Sequence, residues 1–409
     1  MATVPGDTMK SMAKPATTRE SLLNGIRVID GGLASELEYL GARIDGPLWS
    51  AQVLEDDEER LLAVHRAFIE AGAECIATAS YQVSRMGYTE CGFSPERADA
   101  AMLRSVELAR QAAAAFPRRR VLIAGSLGPY GAALHNGAEY TGDYSISYAD
   151  LVRFHRERIE VFARAGTAGA EARPTSSASY GPAKAVPLLR DPEWDSSANV
   201  RGTARAVPLL HDPKSDSSAN VHGPAKAAPF QSRTDAATDL IDTVPGIHLG
   251  EQRPPSLAPD LLAFETFPSL EEAKAVCEAL APFPWMQGWL SFSCRDEKTV
   301  SHGEPLRECA ALLDACPQIL AVGVNCVPPQ WAASLIGEIR AGTAKPVLVY
   351  PNSGEGWDAA TRCWTGSTDP GDFGRMAAEW FAAGAQIVGG CCRTRPEHIR
   401  AIVKAARQL

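Results

Sequence analysis

Eight short apolar runs recur along this chain of 409 residues, and they constrain its fold more than any other feature. Stretches with the helical spacing of apolar residues, such as 61–71 and 148–165, or long loops lie between them. Strands that alternate with helices are typical of a parallel sheet, because each parallel strand needs a crossover connection. The predicted strands are Ile26–Asp30, Cys75–Gln82, Val121–Ser126, Asp260–Thr266, Gln287–Cys294, Leu320–Cys326, Pro346–Pro351 and Ala385–Cys391.

The regular pattern is interrupted at residues 167–259, where Ala, Pro, Ser and Asp dominate and no periodicity persists. A tandem repeat of 21 residues begins at Gly181 and again at Gly202, and a truncated third copy begins at Gly223. Fewer than three complete copies cannot stack into a stable solenoid, and the prolines prevent regular helices. We therefore predict a disordered insertion, although an intron translated in frame would give the same pattern.

Without the insertion, roughly 315 residues remain, which is a normal size for an α/β fold of the (β/α)₈ TIM-barrel type. We predict that residues 21–166 and 260–409 form this barrel. The insertion then occupies the helix-to-strand loop before strand 4, on the face opposite the active site. Residues 1–20 lack the apolar segment of a secretory signal, so we predict a disordered tail, with a weak organellar transit peptide as the alternative.

The composition excludes several classes of partner. A formal net charge of −9 argues against nucleic acid or an anionic membrane as the main partner. No apolar run is long enough for a membrane-spanning helix, which needs about 18 residues or more. Ten cysteines spread over the chain are too sparse for a secreted disulfide scaffold, so we expect a cytoplasmic protein with no obligate protein partner.

Three cysteines lie at the carboxyl ends of two predicted strands. Cys391 and Cys392 follow a Gly-Gly pair at the last strand, and Cys326 ends the sixth. The carboxyl ends of barrel strands share one face, so three thiolates from two strands match a catalytic zinc site with an open fourth position. Soft sulfur ligands favour Zn²⁺ over Mg²⁺ or Ca²⁺. For the cysteines taken alone, buried filling residues or a strained disulfide between the adjacent pair remain as alternatives.

Carboxylates also end predicted strands. Asp30 is followed by Gly31 and Gly32, a pattern that indicates close approach of the backbone to a ligand, with a plain turn as the alternative. Glu265 lies at the end of the fourth strand. The residues that the barrel would place at the active-site face are Asp30, Thr78, Ser126, Glu265, Cys294, Cys326, Tyr350 and Cys391.

Seven motifs in this order resemble those of the homocysteine S-methyltransferases. The resemblance extends over about Asn24 to Leu409, apart from the insertion. It is highly specific because the motifs include all three cysteines. The motifs are Asp30–Glu38, Gly128–Ala132, Glu139–Tyr144, Phe264–Thr266, Gly323–Cys326, Tyr350–Glu355 and Gly389–Thr394.

The resemblance implies a methyl transfer that produces methionine. Zn²⁺ would be held by Cys326, Cys391 and Cys392, with the thiolate of L-homocysteine as the fourth ligand. The segment Tyr350–Glu355 resembles the branch of the family that uses a sulfonium donor, S-methylmethionine or S-adenosylmethionine, rather than betaine.

The resemblance also implies contacts with the substrates. Glu265 would bind the amino group of homocysteine and Asp30 would lie beside the bound amino acid, and we place Gly31 and Asn325 with them as substrate-binding residues. An aromatic face can hold the positive charge of a sulfonium donor. The aromatic candidates, each with packing as the alternative, are Tyr81, Tyr130 and Tyr144.

Several residues lack such a pattern. Cys294 is a further candidate for substrate contact because it ends a strand, whereas Cys75, Cys277 and Cys309 fit core positions. No motif makes a histidine a metal ligand, and we expect four of them at the surface or at helix ends: His65, His135, His155 and His398.

Other functions stay open at this point. A related methyltransferase could act on another thiol or selenol, such as selenocysteine, or use betaine as its donor. From a different class, the chain could be a non-catalytic zinc-binding barrel or a redox sensor based on Cys391 and Cys392. Asp30 and Glu265 favour the enzyme, since a sensor has no need of carboxylates that hold an amino acid.

Overall fold

The computed structural model describes Leu23 and residues 25–44, 48–167, 257–358, 363–365 and 369–408. The predicted tail 1–20 lies outside the described residues, and so does nearly all of the predicted insertion 167–259. No helix within the described ranges is long and apolar enough to cross a membrane.

Within the described ranges, seven parallel strands form one sheet in the order β1-β2-β3-β4-β5-β6-β9, and β7 and β8 form a separate antiparallel hairpin. All but the first of the predicted strands are present in this sheet, mostly shortened at their ends. The hairpin was not predicted. The strands are β1 Cys75–Ala77, β2 Leu122–Leu127, β3 Leu261–Phe267, β4 Gly288–Phe292, β5 Ile319–Asn325, β6 Val347–Tyr350, β7 Gly356–Asp358, β8 Cys363–Thr365 and β9 Ile387–Val388.

The first predicted strand is reduced to two isolated parallel bridges. Val28 pairs with Val388, and Ile29 pairs with Cys75. The amide of Ile29 donates to the carbonyl of Val388 at 3.0 Å, and that of Asp30 donates to the carbonyl of Cys75 at 3.1 Å. Because Val388 and Cys75 belong to the two edge strands of the sheet, this short segment connects both edges.

Helices follow the strands as the spacing predicts. Ser269 begins one of them as expected from its capping box, since its hydroxyl accepts from the amide of Glu272 at 3.2 Å. The last helix was not predicted. The described helices are α1 Leu33–Tyr39, α2 Val53–Asp56, α3 Glu58–Ala71, α4 Arg85–Glu90, α5 Pro95–Ala114, α6 Tyr130–Ala133, α7 Tyr148–Thr167, α8 Leu270–Leu280, α9 Leu306–Asp314, α10 Ala332–Gly342, α11 Pro370–Ala383 and α12 Pro396–Ala406.

Side chains alternate between two buried apolar clusters along the strands. In β2, Ile123 belongs to the large cluster that contains the helices, whereas Leu122 and Ala124 belong to a smaller one on the other face. Trp289 and Tyr350 fill this smaller cluster, and the indole N–H donates to the phenol oxygen at 3.2 Å. Both faces of the sheet are therefore covered, as in other parallel sheets.

The prediction that the four histidines lie at the surface or at helix ends is wrong for two of them. His65 is 0% exposed and His155 is 1% exposed. His65 lies in α3 between apolar positions that face the core, and His155 lies in α7 with its Nε2 atom 2.9 Å from Oε1 of Glu272. Both imidazoles are buried because their positions in the helices face the core, although histidine is a polar residue.

The two ends of the predicted insertion lie side by side. A Cβ atom at Gly166 would be 3.4 Å from that of Ala258. Arg110 donates to the carbonyl of Ala258 at 2.7 Å and pairs with Asp260 at 3.0 Å. The chain therefore leaves α7 and re-enters at β3 from almost the same point.

Candidate active site

Three cysteine thiols meet at the carboxyl ends of β5 and β9. The Sγ atoms of Cys326, Cys391 and Cys392 all lie within 4.8 Å of one another. The Sγ atoms of Cys326 and Cys392 are 3.8 Å apart. Cys294 lies outside this group and packs against the large apolar cluster.

The glycine pairs leave space for this arrangement. A Cβ atom at Gly390 would lie 2.2 Å from Oγ1 of Thr394, and one at Gly32 would lie 2.4 Å from the carbonyl oxygen of Cys391. Thr394 Oγ1 donates to the Cys391 carbonyl at 2.6 Å and accepts from the Gly32 amide at 3.0 Å. The loop after the first strand therefore packs directly on the cysteine loop.

The three thiols fit a tetrahedral metal ion. Zinc–sulfur bonds of about 2.3 Å in a tetrahedron require sulfur atoms about 3.8 Å apart. The Cys326–Cys392 separation matches this distance. Asn325 Nδ2 lies 3.8 Å from Sγ of Cys391, and Thr266 Oγ1 lies 4.0 Å from Sγ of Cys326, so polar hydrogens also face the sulfur atoms, as they commonly do around metal ligands.

The backbone around the thiols adopts an unusual conformation. Among the described residues, four non-glycine residues have positive φ, and three of them lie here: Thr266 at 66°, Cys326 at 54° and Arg393 at 65°. Each such conformation costs about 1–3 kcal/mol unless the surroundings enforce it. For Arg393 they do so, because its amide donates to Oγ of Ser35 at 2.9 Å and its guanidinium pairs with Glu355 at 2.8 Å.

The buried amide of Asn325 connects three strand ends. Its Oδ1 accepts from the amide of Thr266 at 2.7 Å and from Oγ of Ser291 at 2.8 Å. Its Nδ2 donates to Oγ1 of Thr266 at 2.7 Å and faces Cys391. These contacts use all of the amide's hydrogen bonds, so the side chain holds β3, β4 and β5 together, and substrate binding by Asn325 stays a prediction.

Asp30 is buried and Glu265 is partly buried, both at the same end of the sheet. Oδ2 of Asp30 accepts from the Ala77 amide at 2.9 Å, and Glu265 accepts from the hydroxyl of Ser126. Burial raises the pKa of Asp30 well above its usual range, and the neighbouring charge of Glu265 adds to this. Burial also raises the pKa of Glu265 to about 7. Among the described residues, no cationic side chain pairs with either carboxyl group to offset its desolvation.

Gly31 has a packing role in this structure. A Cβ atom there would lie 2.7 Å from the ring of Phe68 and 3.0 Å from Oγ1 of Thr394. Any side chain at this position would push the first loop away from helix α3 and from the cysteine loop.

A carboxylate that the sequence interpretation did not single out is Glu139, in the long loop after β2. The Ser293 hydroxyl donates to its carbonyl at 3.1 Å, which fixes the turn Ala138–Tyr140. Oε2 of Glu139 is buried and has no hydrogen-bond partner among the described residues. Burial raises the pKa of this carboxyl to about 7. Its only sequence signal was its place in the motif Glu139–Tyr144.

The three candidate tyrosines differ in their surroundings. Glu272 anchors two of them, since its Oε1 accepts from the Tyr130 amide at 2.6 Å and its other oxygen accepts from the Tyr144 hydroxyl. Their ring centroids are 5.3 Å apart, so both pack within the loop. Tyr81, in contrast, hydrogen-bonds the side chain of Thr266 and thus lies beside the thiols.

The chain is similar to known proteins over most of its length. A family model described as homocysteine S-methyltransferase matches residues 27–171 and 256–406. The chain belongs to this family. It is therefore a methyltransferase, and the resemblance inferred from the motifs is confirmed.

Individual members of the homocysteine S-methyltransferase family match most of the chain. A homocysteine S-methyltransferase of Bacillus subtilis is 33% identical over 390 residues, which cover 93% of this chain and 95% of the relative. A selenocysteine Se-methyltransferase of Brassica oleracea is 32% identical over 401 residues, covering 93% and 88%. The homocysteine methyltransferase MmuM from Escherichia coli, in its metallated form, superposes with a TM-score of 0.65 at 29% identity and covers 95% of this chain and 98% of that structure.

Proposed function

We propose that this enzyme transfers a methyl group from a sulfonium donor, S-methylmethionine or S-adenosylmethionine, to the thiol of L-homocysteine, which gives methionine. The observation that carries the proposal is the group of three thiols within 4.8 Å, with buried carboxyl groups at the same end of the sheet. We further propose that the bridges at Val28 and Ile29 close the sheet into the predicted (β/α)₈ barrel.

Cys326, Cys391 and Cys392 are the proposed ligands of Zn²⁺. When bound, Zn²⁺ would take the place of the proton on the homocysteine thiol and so supply a thiolate, the nucleophilic form of sulfur, at neutral pH. Asn325 and Thr266 orient two of the cysteines through the contacts described above. We therefore assign Asn325 a positioning role.

Glu265 and Asp30 are proposed to bind the ammonium group of homocysteine. A cation in contact with a buried carboxyl group favours its ionised form and offsets the desolvation that raises its pKa. The strand ends fix both side chains, through Ala77 for Asp30 and through Ser126 for Glu265. The amino acid is thereby oriented before the methyl transfer, which depends mainly on alignment.

Glu139 and Tyr81 are proposed to face the donor. A sulfonium donor loses its positive charge when the bond from sulfur to the methyl carbon breaks and a new bond forms to the acceptor sulfur. No proton moves at the methyl carbon, so no general acid or base is needed there. The unpartnered oxygen of Glu139 and the ring of Tyr81 supply a negative charge and an aromatic face for such a cation.

The choice between sulfonium donors and betaine rests on the segment Tyr350–Glu355, which resembles the sulfonium-using branch of the family. A second acceptor is selenocysteine, because one relative at 32% identity is a selenocysteine Se-methyltransferase. Selenocysteine carries selenium in place of sulfur and has a side chain one methylene shorter than that of homocysteine, so the two acceptors place the reacting atom at different distances from the amino group.

One experiment tests the proposal. The purified protein is assayed for metal content and for methionine formation from homocysteine, with S-methylmethionine, S-adenosylmethionine and betaine offered separately. We expect one zinc ion per chain and turnover with a sulfonium donor. Turnover with betaine alone would overturn the donor assignment, and a folded, fully active protein without zinc would overturn the mechanism.

A further inference from the structure

A cavity lies at the opposite end of the sheet from the thiols, where the strands begin. Its volume is about 820 Å³. It lies between the end of helix α3, the segment that leads into β2, and the last helix, α12. Six basic side chains line it: Arg27, Arg119, Arg120, Arg400, Lys404 and Arg407.

Two of these cations have a structural role. Arg27 donates to the carbonyl of Ala406 at 3.1 Å, and Arg119 donates to the carbonyls of Ile69 and, at 3.3 Å, Ala73. These carbonyls lie at or just after the carboxyl ends of helices, where backbone oxygens lack partners within the helix and a positive charge is favourable. Arg27 and Arg119 are therefore explained without a ligand.

The other four cations are not explained in this way. The side chains of Arg120, Arg400, Lys404 and Arg407 are exposed, and none has a partner among the described residues. Of the two acidic residues in the lining, Glu74 already accepts from the amides at the start of the first strand, at 2.7 and 3.1 Å. Only Glu70 remains to balance four positive charges, in a protein whose net charge is −9.

The two long stretches outside the described residues, 1–22 and 168–256, are each close to neutral. Residues 1–22 contain two acidic and three basic side chains, and residues 168–256 contain ten acidic and nine basic ones. Neither segment has a charge that complements the cavity. An external anion fits better, and a volume of about 820 Å³ is in the range of small-molecule sites, about 300–1,000 Å³.

We propose that this cavity binds a small molecule that carries several phosphate groups, of the size of a nucleoside triphosphate. Arginine matches phosphate because its planar guanidinium offers paired donors, and Lys404 adds a mobile point charge. The site is separate from the thiols and does not depend on the proposed methyl transfer.

The test is calorimetric titration of the full-length, metal-loaded protein with ATP and, separately, with inorganic tripolyphosphate at constant ionic strength. We expect saturable binding of one molecule per chain. Arg400→Glu should weaken it by about tenfold, since a nearby charge is reversed. Lys404→Glu provides a second variant of the same kind if the first fails to fold.

Two controls make the result specific. Arg156→Glu reverses the charge of an exposed arginine in α7 that does not line the cavity, and it should leave the affinity within about twofold of the parent value. Cys392→Ser should also retain binding, which excludes chelation of the ligand by a metal at the thiols. Absence of saturable binding for both probes, or equal losses in Arg156→Glu and Arg400→Glu, would overturn the proposal.

Discussion

At the scale of single residues, the site consists of groups that are buried without the partners they would have in water. Glu139, Glu265 and Asp30 are carboxyl groups whose pKa values burial raises, and no cationic side chain in the described part of the chain pairs with them. Such groups are expected where a charged ligand completes the site. Cationic substrates satisfy this requirement, because homocysteine carries an ammonium group and a sulfonium donor carries its own positive charge.

The thiols are the first target for substitution. Cys392→Ser should lose the metal and the methyl transfer while the circular dichroism spectrum of the folded protein is kept, because serine is a poor zinc ligand. Metal content by mass spectrometry and methionine formation are measured together. Cys294→Ser is the matched control and should change neither, since its sulfur lies outside the group. Activity and zinc retained in Cys392→Ser would remove that residue from the ligand set.

Two carboxylate variants should affect different substrates. Glu265→Ala should raise the KM for homocysteine by about tenfold or more, because it removes a charged hydrogen bond worth about 1.5–3 kcal/mol. Glu139→Gln should instead raise the KM for the donor. Steady-state kinetics with each substrate varied in turn measures both, with zinc content as the control. A rise in the same KM for both variants would contradict the separate roles.

At the scale of elements, the ends of three adjacent strands are joined by side chains in addition to the ladder of backbone pairing. Asn325 connects β5 to β3 and β4 through Thr266 and Ser291. The hydroxyl of Ser291 continues the chain of hydrogen bonds to Tyr350 on β6. This row of polar groups fixes the positions from which Cys326 and Cys391 project.

The loss of this amide should therefore affect both stability and metal binding. Asn325→Ala leaves the Thr266 amide and the Ser291 hydroxyl without their partner, which we expect to lower the free energy of unfolding by about 2–4 kcal/mol. Zinc affinity should fall as well. Urea denaturation and competition with a zinc chelator measure the two effects. Asn352→Ala is the control, since the carbonyl oxygen of that amide has no partner among the described residues.

The comparison of sequence and structure is clearest at this scale. The apolar runs predict the positions of the strands well. Both faces of a parallel strand are buried, so each strand is a continuous run of apolar residues that can be recognised in the local sequence. Strand β1 ends at Ala77, before the predicted end at Gln82. Beyond Ala77, the hydroxyl of Thr78 hydrogen-bonds that of Ser80 at 2.7 Å and accepts from the Ser126 amide at 3.0 Å. Contacts of this kind depend on the neighbouring strand and leave no local pattern.

The missed features had weaker signals. Helix α12 carries apolar residues at helical spacing, including Ile399 and Ile402, and was overlooked because it follows the cysteine motif directly. The cysteines and carboxylates of the site were predictable from their positions at strand ends. Glu139 was not, because its burial depends on how a long loop folds over the sheet.

At the scale of the whole molecule, most of the described residues pack around one sheet. The chain leaves this part of the structure before the predicted insertion and returns to it after the insertion at almost the same place. Gly166 and Ala258 are adjacent there, at the end of the sheet where the strands begin. The cysteines lie at the other end, after β5 and β9. Both ends of the predicted insertion therefore lie at the end of the sheet opposite the proposed chemistry.

Deletion of residues 168–256, with a short Gly-Ser linker in their place, should leave the methyl transfer intact. Shortening a loop of about 90 residues to about four should also raise the free energy of unfolding by about 2–3 kcal/mol, through the lower entropy of loop closure. Urea denaturation and initial rates test this. Replacement of the same residues by a Gly-Ser segment of equal length separates length from sequence, and an insoluble or inactive deletion variant would show that the segment belongs to the fold.

The stability of the whole protein should also depend on pH through His65. Burial lowers the pKa of this imidazole to about 4, and its nitrogens have no partner among the described residues. Below a pH of about 6.5 the unfolded chain binds a proton that the folded protein excludes. The contribution is therefore constant above that pH and is lost progressively down to about 4, by about 3 kcal/mol in total.

His65→Leu should accordingly show a shallower loss of stability between pH 6.5 and pH 4 than the parent protein. Urea denaturation at several pH values measures the slope. Phe68→Leu is the control, because it alters the packing of the same helix without removing a titratable group, and it should leave the slope nearly unchanged. Parallel pH profiles for the parent and His65→Leu would contradict the assignment.

The two short bridges at Val28 and Ile29 bring together residues that are synthesised at very different times, because Val28 pairs with Val388. Cys391 and Cys392 are synthesised long after Gly32, which packs against the carbonyl of Cys391. Residues 28–32 therefore cannot form these contacts until residues 388–391 have been made. The proposed metal site is complete only after both segments are present, so metal loading would follow the synthesis of Cys391 and Cys392.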